Sequence, residues 1–168
     1  MPRSRLWIER LNELRFVRAT LAWEDYLEES FVCYLRGSTS LGGTTYPVLV
    51  PPPRNIPDAR RVAIGSTPFG NWLNENWTQR RASQLFGQRN AYGSLATPRF
   101  SDIRIIRNRI VHRSEASRLD FQGLIVRLYG AARPGWTPGR LLSDPPTGTS
   151  VLENYLNFLD AAARVIAT

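Results

Sequence analysis

The chain has 168 residues, of which 42% are hydrophobic and five are Trp, and this composition is typical of a globular protein with one well-filled core. A single cysteine, Cys33, excludes an internal disulfide, and its apolar helical setting predicts that it is buried. Residues 1–18 alternate charged and apolar residues, which predicts neither a signal peptide nor a membrane span. We therefore expect one domain over residues 1–168, located in the cytoplasm.

Positive charge is concentrated in one part of the sequence. The formal net charge is +8, and all 22 residues counted as Lys or Arg are Arg. Between Arg80 and Arg118 nine Arg stand against Asp102 and Glu115, whereas residues 1–36 contain six Arg and six acids. A basic surface around one region favours RNA as the partner, and a solvated arginine-rich face or an acidic protein partner are the alternatives.

The first predicted element is a long helix. Residues 3–36 contain neither Gly nor Pro and precede Gly37, which predicts one helix or two nearly continuous ones. Glu24 and Glu28 interrupt the apolar stripe of this helix. One of them either pairs with Arg107 or holds another side chain near His112 in place, or the helix turns this face into solvent at that point. The stripe consists of Leu14, Val17, Leu21, Phe31 and Leu35. A further apolar set, Trp23, Leu27, Phe31 and Tyr34, would suit a dimer interface.

Residues 38–66 are predicted to be a Pro/Gly-rich insertion after the first helix. Their Gly-Gly, Thr-Thr and Pro-Pro-Pro sequences predict a long, partly extended connection that packs over the helices, contacts a partner or borders a substrate groove. Ser66-Thr67-Pro68 then has the pattern of an N-cap and first-turn proline, which predicts a helix up to Gly87. A loop over residues 88–96 follows.

Thr97 and Pro98 predict the start of a helix of about four turns that contains the only histidine, His112. An apolar arc on this helix, formed by Ile103, Ile106, Ile110 and Val111, includes Arg107, whereas Arg104, Asn108 and His112 form a polar row opposite. An arginine in an apolar arc is costly unless it is paired or hydrated. Arg107 therefore either reaches an acid or the edge of the core, or binds an anion beside His112.

The rest of the sequence predicts two more helices. Residues 114–129 predict a short helix weakened by Gly123, and residues 130–149, with four Pro and four Gly, predict a loop. Ser150 and Glu153 form a capping-box pattern before a final amphipathic helix. The predicted fold class is therefore all-α.

The reactive residues limit the chemistry. One His and one Cys provide no recognisable metal-ligand pattern, and no glycine-rich phosphate loop occurs, so neither a metal nor a cofactor is expected. Metal-independent RNA cleavage needs a base for the ribose 2′-hydroxyl and a cation for the phosphate. His112 and Arg107 are the candidates for these two tasks, because histidine is the side-chain type that titrates near neutrality.

The segment Arg107-Asn108-Arg109-Ile110-Val111-His112 resembles the R-X4-6-H motif of the HEPN superfamily, in which the residue after the Arg is commonly Asn, Asp or His. The Ile-rich helix around it, and the long first helix with Leu21–Glu28, are also similar to that family. The resemblance covers most of the chain as architecture but only this helix as sequence. It implies an up-and-down helical bundle.

The resemblance also implies a metal-independent endoribonuclease that acts as a homodimer. Two protomers would bring their motif helices together, so that the composite site holds two Arg and two His and leaves a 2′,3′-cyclic phosphate and a 5′-hydroxyl. The implied catalytic residues are Arg107, Asn108 and His112, and the implied RNA-backbone contacts are Arg104, Arg109 and Arg113.

Members of the family serve as bacterial toxins and phage-defence effectors, and an antitoxin or another defence-system protein is then a further expected partner. In the branch controlled by a nucleotidyltransferase antitoxin a Tyr follows the His by two residues, but this chain has Ser114, so control through such a Tyr is not expected. The alternative function is a non-catalytic HEPN-like RNA- or protein-binding module, in which the three motif side chains satisfy one another in a dimer interface.

Overall fold

All regular secondary structure is helical in the computed structural model, which describes residues 2–95, 97–145 and 148–168 and side chains from residue 5 onward. The all-α prediction is therefore confirmed for these residues. None of the described helices combines the length and apolarity needed to cross a membrane. The helices are α1 (Pro2–Leu35), α2 (Ile56–Ile64), α3 (Glu75–Phe86), a 3-10 helix (Ala91–Leu95), α4 (Pro98–Val111), α5 (Glu115–Tyr129), α6 (Pro138–Ser143) and α7 (Val151–Ala167).

Several helix ends lie where the sequence predicts them. α1 ends two residues before Gly37, and α4 begins at Pro98. The capping box before α7 is formed, because the Ser150 N–H donates to Glu153 Oε2 at 3.1 Å and the Glu153 N–H donates to Ser150 Oγ at 3.2 Å. The Thr97 hydroxyl, however, is buried without a hydrogen-bond partner and does not cap α4.

Two helices lie where the sequence predicted none, and a third begins later than predicted. α2 lies inside the predicted insertion, α6 lies inside the predicted loop, and α3 begins at Glu75 and not near Pro68. A side-chain oxygen of Asn55, Asn74 or Thr137 accepts an N–H from the first turn of α2, α3 or α6 respectively. The predicted loop at 88–96 contains the 3-10 helix, and Ala96 lies outside the described residues.

The buried face of α1 also differs from the predicted stripe. Leu14 and Leu21 are 51% and 47% exposed. Phe31 and Leu35 are buried as predicted, and the other side chains that α1 buries are Glu13, Phe16, Thr20, Trp23, Leu27, Val32 and Tyr34. The set proposed as a dimer interface is thus part of the core, and Cys33 is exposed and not buried.

The packing divides the chain into two compact units, and α1, α4 and α7 each contribute residues to both. The first unit comprises Met1–Leu21 and Ser101–Phe158. In its core Phe16 meets the edge of Tyr155, with ring centroids 6.1 Å apart, and Glu13 Oε1 accepts the Gly139 N–H at 3.0 Å. The start of α1 therefore holds α6 and α7 in this unit.

The second unit comprises Ala22–Phe100 and Leu159–Thr168. Its aromatic core surrounds Phe31, whose ring centroid lies 4.2 Å from that of Tyr92 and 4.9 Å from that of Trp72. The irregular segment before α2 is held by backbone bonds, from Leu41 to Ala167 at 2.6 Å and from Leu49 to Leu85 at 2.8 Å. This part of the predicted insertion therefore packs onto α3 and the end of α7.

Candidate functional site

The candidate site is built on α4, which has a buried side and an outward side. Ile103 and Ile106 are fully buried, as predicted, but Ile110 is only half-buried and Val111 is 47% exposed. The apolar arc therefore ends before Val111. Arg107 lies half-buried at its edge rather than within it.

Arg107 and Asn108 are the two motif residues whose side chains touch. Arg107 Nη1 lies 3.5 Å from Asn108 Oδ1, at the long limit of a hydrogen bond. One turn earlier, Arg104 Nη2 lies 3.5 Å from Ser101 Oγ. The Nε atoms of both Arg104 and Arg107 are buried and have no hydrogen-bond partner. These two N–H donors are thus buried and unsatisfied, and the Nη contacts of both guanidinium groups are at the long limit of a hydrogen bond.

His112 is the first residue after α4, and its backbone is fixed on both sides. Its N–H donates to the Asn108 carbonyl at 2.7 Å, and its own carbonyl accepts the Ser117 hydroxyl at 2.7 Å. The side chain is exposed, and no described residue hydrogen-bonds to the imidazole. Ser114 is the N-cap of α5 and accepts the Ser117 N–H at 3.2 Å. The structure therefore does not join His112 to Arg107 through their side chains within one chain.

The three arginines predicted to contact RNA do not share one face: Arg104 and Arg109 lie on α4, and Arg113 follows it. Arg104 and Arg109 are about 140° apart around a helix. Arg109 and Arg113 line a cleft of about 340 Å³, with Ile110 between them. The other residues that line this cleft are Leu6, Glu9, Arg10, Glu13, Thr137 and Pro138. Arg109 and Arg113 thus form a separate basic wall.

The carboxylates in this cleft already have partners. Glu9 pairs with Arg5 at 3.3 Å and accepts the Thr137 hydroxyl at 3.0 Å. Glu13 pairs with Arg10 at 2.8 Å in addition to its bond with α6. Arg109 and Arg113 have no ion pair within 4 Å among the described residues, so this wall of the cleft can receive an anion.

Sequence reasoning missed a buried network behind α4. Asp102 is 4% exposed, forms an ion pair with Arg127 on α5 and accepts the Tyr155 hydroxyl at 3.2 Å. The hydrogen bond with Asp102 raises the pKa of Arg127 above its usual value. An available signal was that Asp102 shares the arc of Ile103 and Ile106 on an ideal helix.

Glu28 lies in the second unit, where its carboxylate accepts the Trp72 Nε1–H at 3.2 Å and lies 3.6 Å from Arg60. The other acid of the basic stretch, Glu115, is bound by Arg118, and that hydrogen bond lowers the pKa of Glu115.

In the described ranges no group of three or more His, Cys, Asp or Glu side chains is arranged to hold a metal ion.

Comparison of the chain with models of protein families, with curated proteins and with solved structures gives no match.

Proposed function

We propose that this protein is a metal-independent endoribonuclease of the HEPN type, with a composite site made by two copies of α4 and the residue that follows it. The observation that carries the proposal is the state of His112: an exposed imidazole, bonded to no described residue, on a backbone anchored one turn after Asn108. A histidine in this state is available to a substrate and to a second protomer.

The proposed reaction needs a base, an acid and a cation. His112 of one copy takes the proton of the ribose 2′-hydroxyl, and the 2′-oxygen attacks phosphorus. The bond from phosphorus to the 5′-oxygen breaks, and His112 of the second copy gives that oxygen a proton. The products are a 2′,3′-cyclic phosphate and a 5′-hydroxyl. No divalent cation takes part in these steps.

Arg107 is proposed to stabilise the negative charge on the phosphate through its Nη atoms, because its side chain is only half-buried and its Nη1 contact with Asn108 is long. Asn108 would hold this guanidinium in position. Arg104 lies one turn away with a similarly long Nη2 contact to Ser101, and it would contact the RNA backbone. We further propose that the nuclease acts as a bacterial toxin or phage-defence effector, as the resemblance of its motif implies.

The test is cleavage of end-labelled single-stranded RNA in EDTA by the purified chain, His112→Ala and Arg107→Ala. Both variants should lose roughly 10²-fold or more in rate. Arg36→Ala, at an exposed position just after α1, is the matched control and should cleave like the parent chain. Folded protein that binds RNA and leaves it intact would instead favour the non-catalytic binding module.

A second experiment tests whether two copies of the chain share one site. Mixing the parent chain with an excess of His112→Ala should lower the activity of the parent further than dilution does, because a mixed dimer holds one His112 where the proposed steps use two. Parent protein that is active as a monomer would contradict the composite arrangement while leaving the ribonuclease itself in place.

A further inference from the structure

The N-terminal half of α1 carries apolar residues on two opposite sides. Its inward side buries Phe16 and Glu13 in the first unit, and its outward side exposes large side chains. We define the outward face of α1 as Trp7, Leu11, Leu14, Arg18 and Leu21. These residues follow a spacing of four, three, four and three, the heptad pattern of a helix that packs against another helix.

The outward face is large for an uncovered surface. Trp7 is 76% exposed and Leu11 is 46% exposed, and Leu6 and Ile8 on its flanks are exposed as well. Together these side chains expose on the order of several hundred Å² of contiguous apolar surface, a size that marks interaction sites on soluble proteins. From Trp7 to Leu21 the face is about 21 Å long, which matches a partner helix of about two heptads.

The charge around the outward face has one sign. Arg10, Arg15 and Arg18 are exposed and lie within about 80° of Trp7 around the helix. The acids of residues 5–21 are Glu9 and Glu13, and both are directed inward, where Thr137 and the Gly139 N–H bind them. Arg15 and Arg18 form no ion pair with any described residue. The apolar stripe is thus bordered by arginines and by no exposed carboxylate.

We propose that the outward face of α1 is a docking surface for an acidic amphipathic helix of a partner protein. Such a helix would place apolar side chains against Trp7, Leu11 and Leu14 and its Glu or Asp residues beside Arg15 and Arg18. A second copy of this chain fits less well, because its residues 5–21 would bring four more arginines and no exposed carboxylate. Trp and Arg are also the residue types that contribute most at protein interfaces.

The proposal goes beyond RNA cleavage and does not depend on it, because the experiment measures binding alone. Two labelled synthetic helices of three heptads serve as probes. Both have Leu at the a and d positions, and they differ only in Glu or Lys at the e and g positions. Fluorescence anisotropy with the full chain should show that the Glu peptide binds at least about tenfold more tightly than the Lys peptide and that added salt weakens this binding.

Variants of the chain locate the site. Arg15→Glu combined with Arg18→Glu should reverse the preference between the two peptides, and Arg36→Glu, which lies outside the face, should not. Leu14→Gln should lower the affinity of the chain for the Glu peptide by about tenfold or more. Thermal unfolding of each variant checks the fold, and the charge variants at exposed arginines keep the test valid if Leu14→Gln is destabilised.

Three outcomes would overturn the proposal. The first is equal affinity for both peptides, and the second is no binding of either. The third is a dimer of the parent chain in light scattering that Leu14→Gln converts to a monomer, because the face would then be covered by a second copy.

Discussion

The hydroxyl of Tyr155 donates a hydrogen bond to Oδ2 of Asp102 at 3.2 Å, and thereby ties α7 to the buried side of α4. Arg127 on α5 binds the same carboxylate, so one buried acid joins three helices of the first unit. The helix that carries the proposed catalytic residues is thus held from behind by polar bonds as well as by Ile103 and Ile106.

Asp102→Asn should therefore destabilise the protein. The amide keeps the size of the carboxylate but loses the charge that binds Arg127 and offers one acceptor oxygen in place of two. We expect a loss of about 2 kcal/mol in the free energy of unfolding, measured with urea. The control is Glu115→Gln, which breaks an exposed pair with Arg118 and should change stability little. Equal effects of the two substitutions would contradict a structural role for Asp102.

Replacement by Ala should lower the stability of the protein at Gly139 and raise it at Gly123. A Cβ at Gly139 would lie 2.5 Å from the Glu9 carbonyl oxygen, whereas a Cβ at Gly123 would have no neighbour within 4 Å. Gly139→Ala should cost roughly 1–3 kcal/mol because α6 must move away from α1. Gly123→Ala should add about 0.5–1 kcal/mol because Ala favours the helix. Thermal unfolding of both variants checks the contrast, and stabilisation by Gly139→Ala would refute the close packing of α6.

Stability should fall at alkaline pH, in part through Tyr34. This side chain is 6% exposed and donates to the Ile166 carbonyl at 2.6 Å, and burial is the main cause that raises its pKa to about 12. Between the ordinary tyrosine pKa of 10 and about 12, the unfolded chain loses this proton and the folded chain keeps it, so unfolding becomes more favourable as pH rises. Arg stays charged over this range.

Tyr34→Phe should remove part of that alkaline slope. The remaining slope should come from Tyr26, Tyr92 and Tyr129, because burial raises the pKa of all three. Urea unfolding at a series of pH values from 8 to about 12 compares the two proteins. Across this window the parent should lose roughly 2 kcal/mol or less of unfolding free energy more than Tyr34→Phe does. Parallel curves for Tyr34→Phe and the parent would show that Tyr34 does not contribute.

RNA affinity should depend on the basic wall of the cleft separately from cleavage. The His112→Ala variant is expected to bind RNA without cutting it. In that background, Arg109→Gln with Arg113→Gln should lower the affinity for single-stranded RNA and reduce the slope of log affinity against log salt by about 1.4, or ~0.7 per lost phosphate contact. Arg36→Gln is the control for lost charge alone. An unchanged slope would place the RNA away from Arg109 and Arg113.

Local signals in the sequence predicted where two of the helices begin. Pro98 places the start of α4, and Ser150 with Glu153 places the start of α7, because a cap acts within one turn. Asn55, Asn74 and Thr137 are equally local signals, but the surrounding Pro and Gly residues led to predictions of loops or of a different helix start. Composition was thus a poorer guide than capping chemistry in these segments.

The faces of α1 and α4 could not be predicted in the same way. On α1 both Phe16 and Leu14 lie in regular apolar patterns, and packing with α6 and α7 decides that Phe16 is buried. On α4 the sequence predicts the buried Ile103 and Ile106, but the cleft beside Arg109 depends on residues more than ninety positions away along the chain, near Glu9. Contacts between distant segments carry no local signal.

Two hydrogen bonds hold the backbone of His112, and they limit the conformations that its side chain samples. Because the Asn108 carbonyl and the Ser117 hydroxyl restrain its backbone, the imidazole moves mainly by rotation about two side-chain bonds. Its conformational search is then over a few rotamers and not over many loop geometries. Little entropy would be lost when a ligand fixes the ring in one of them.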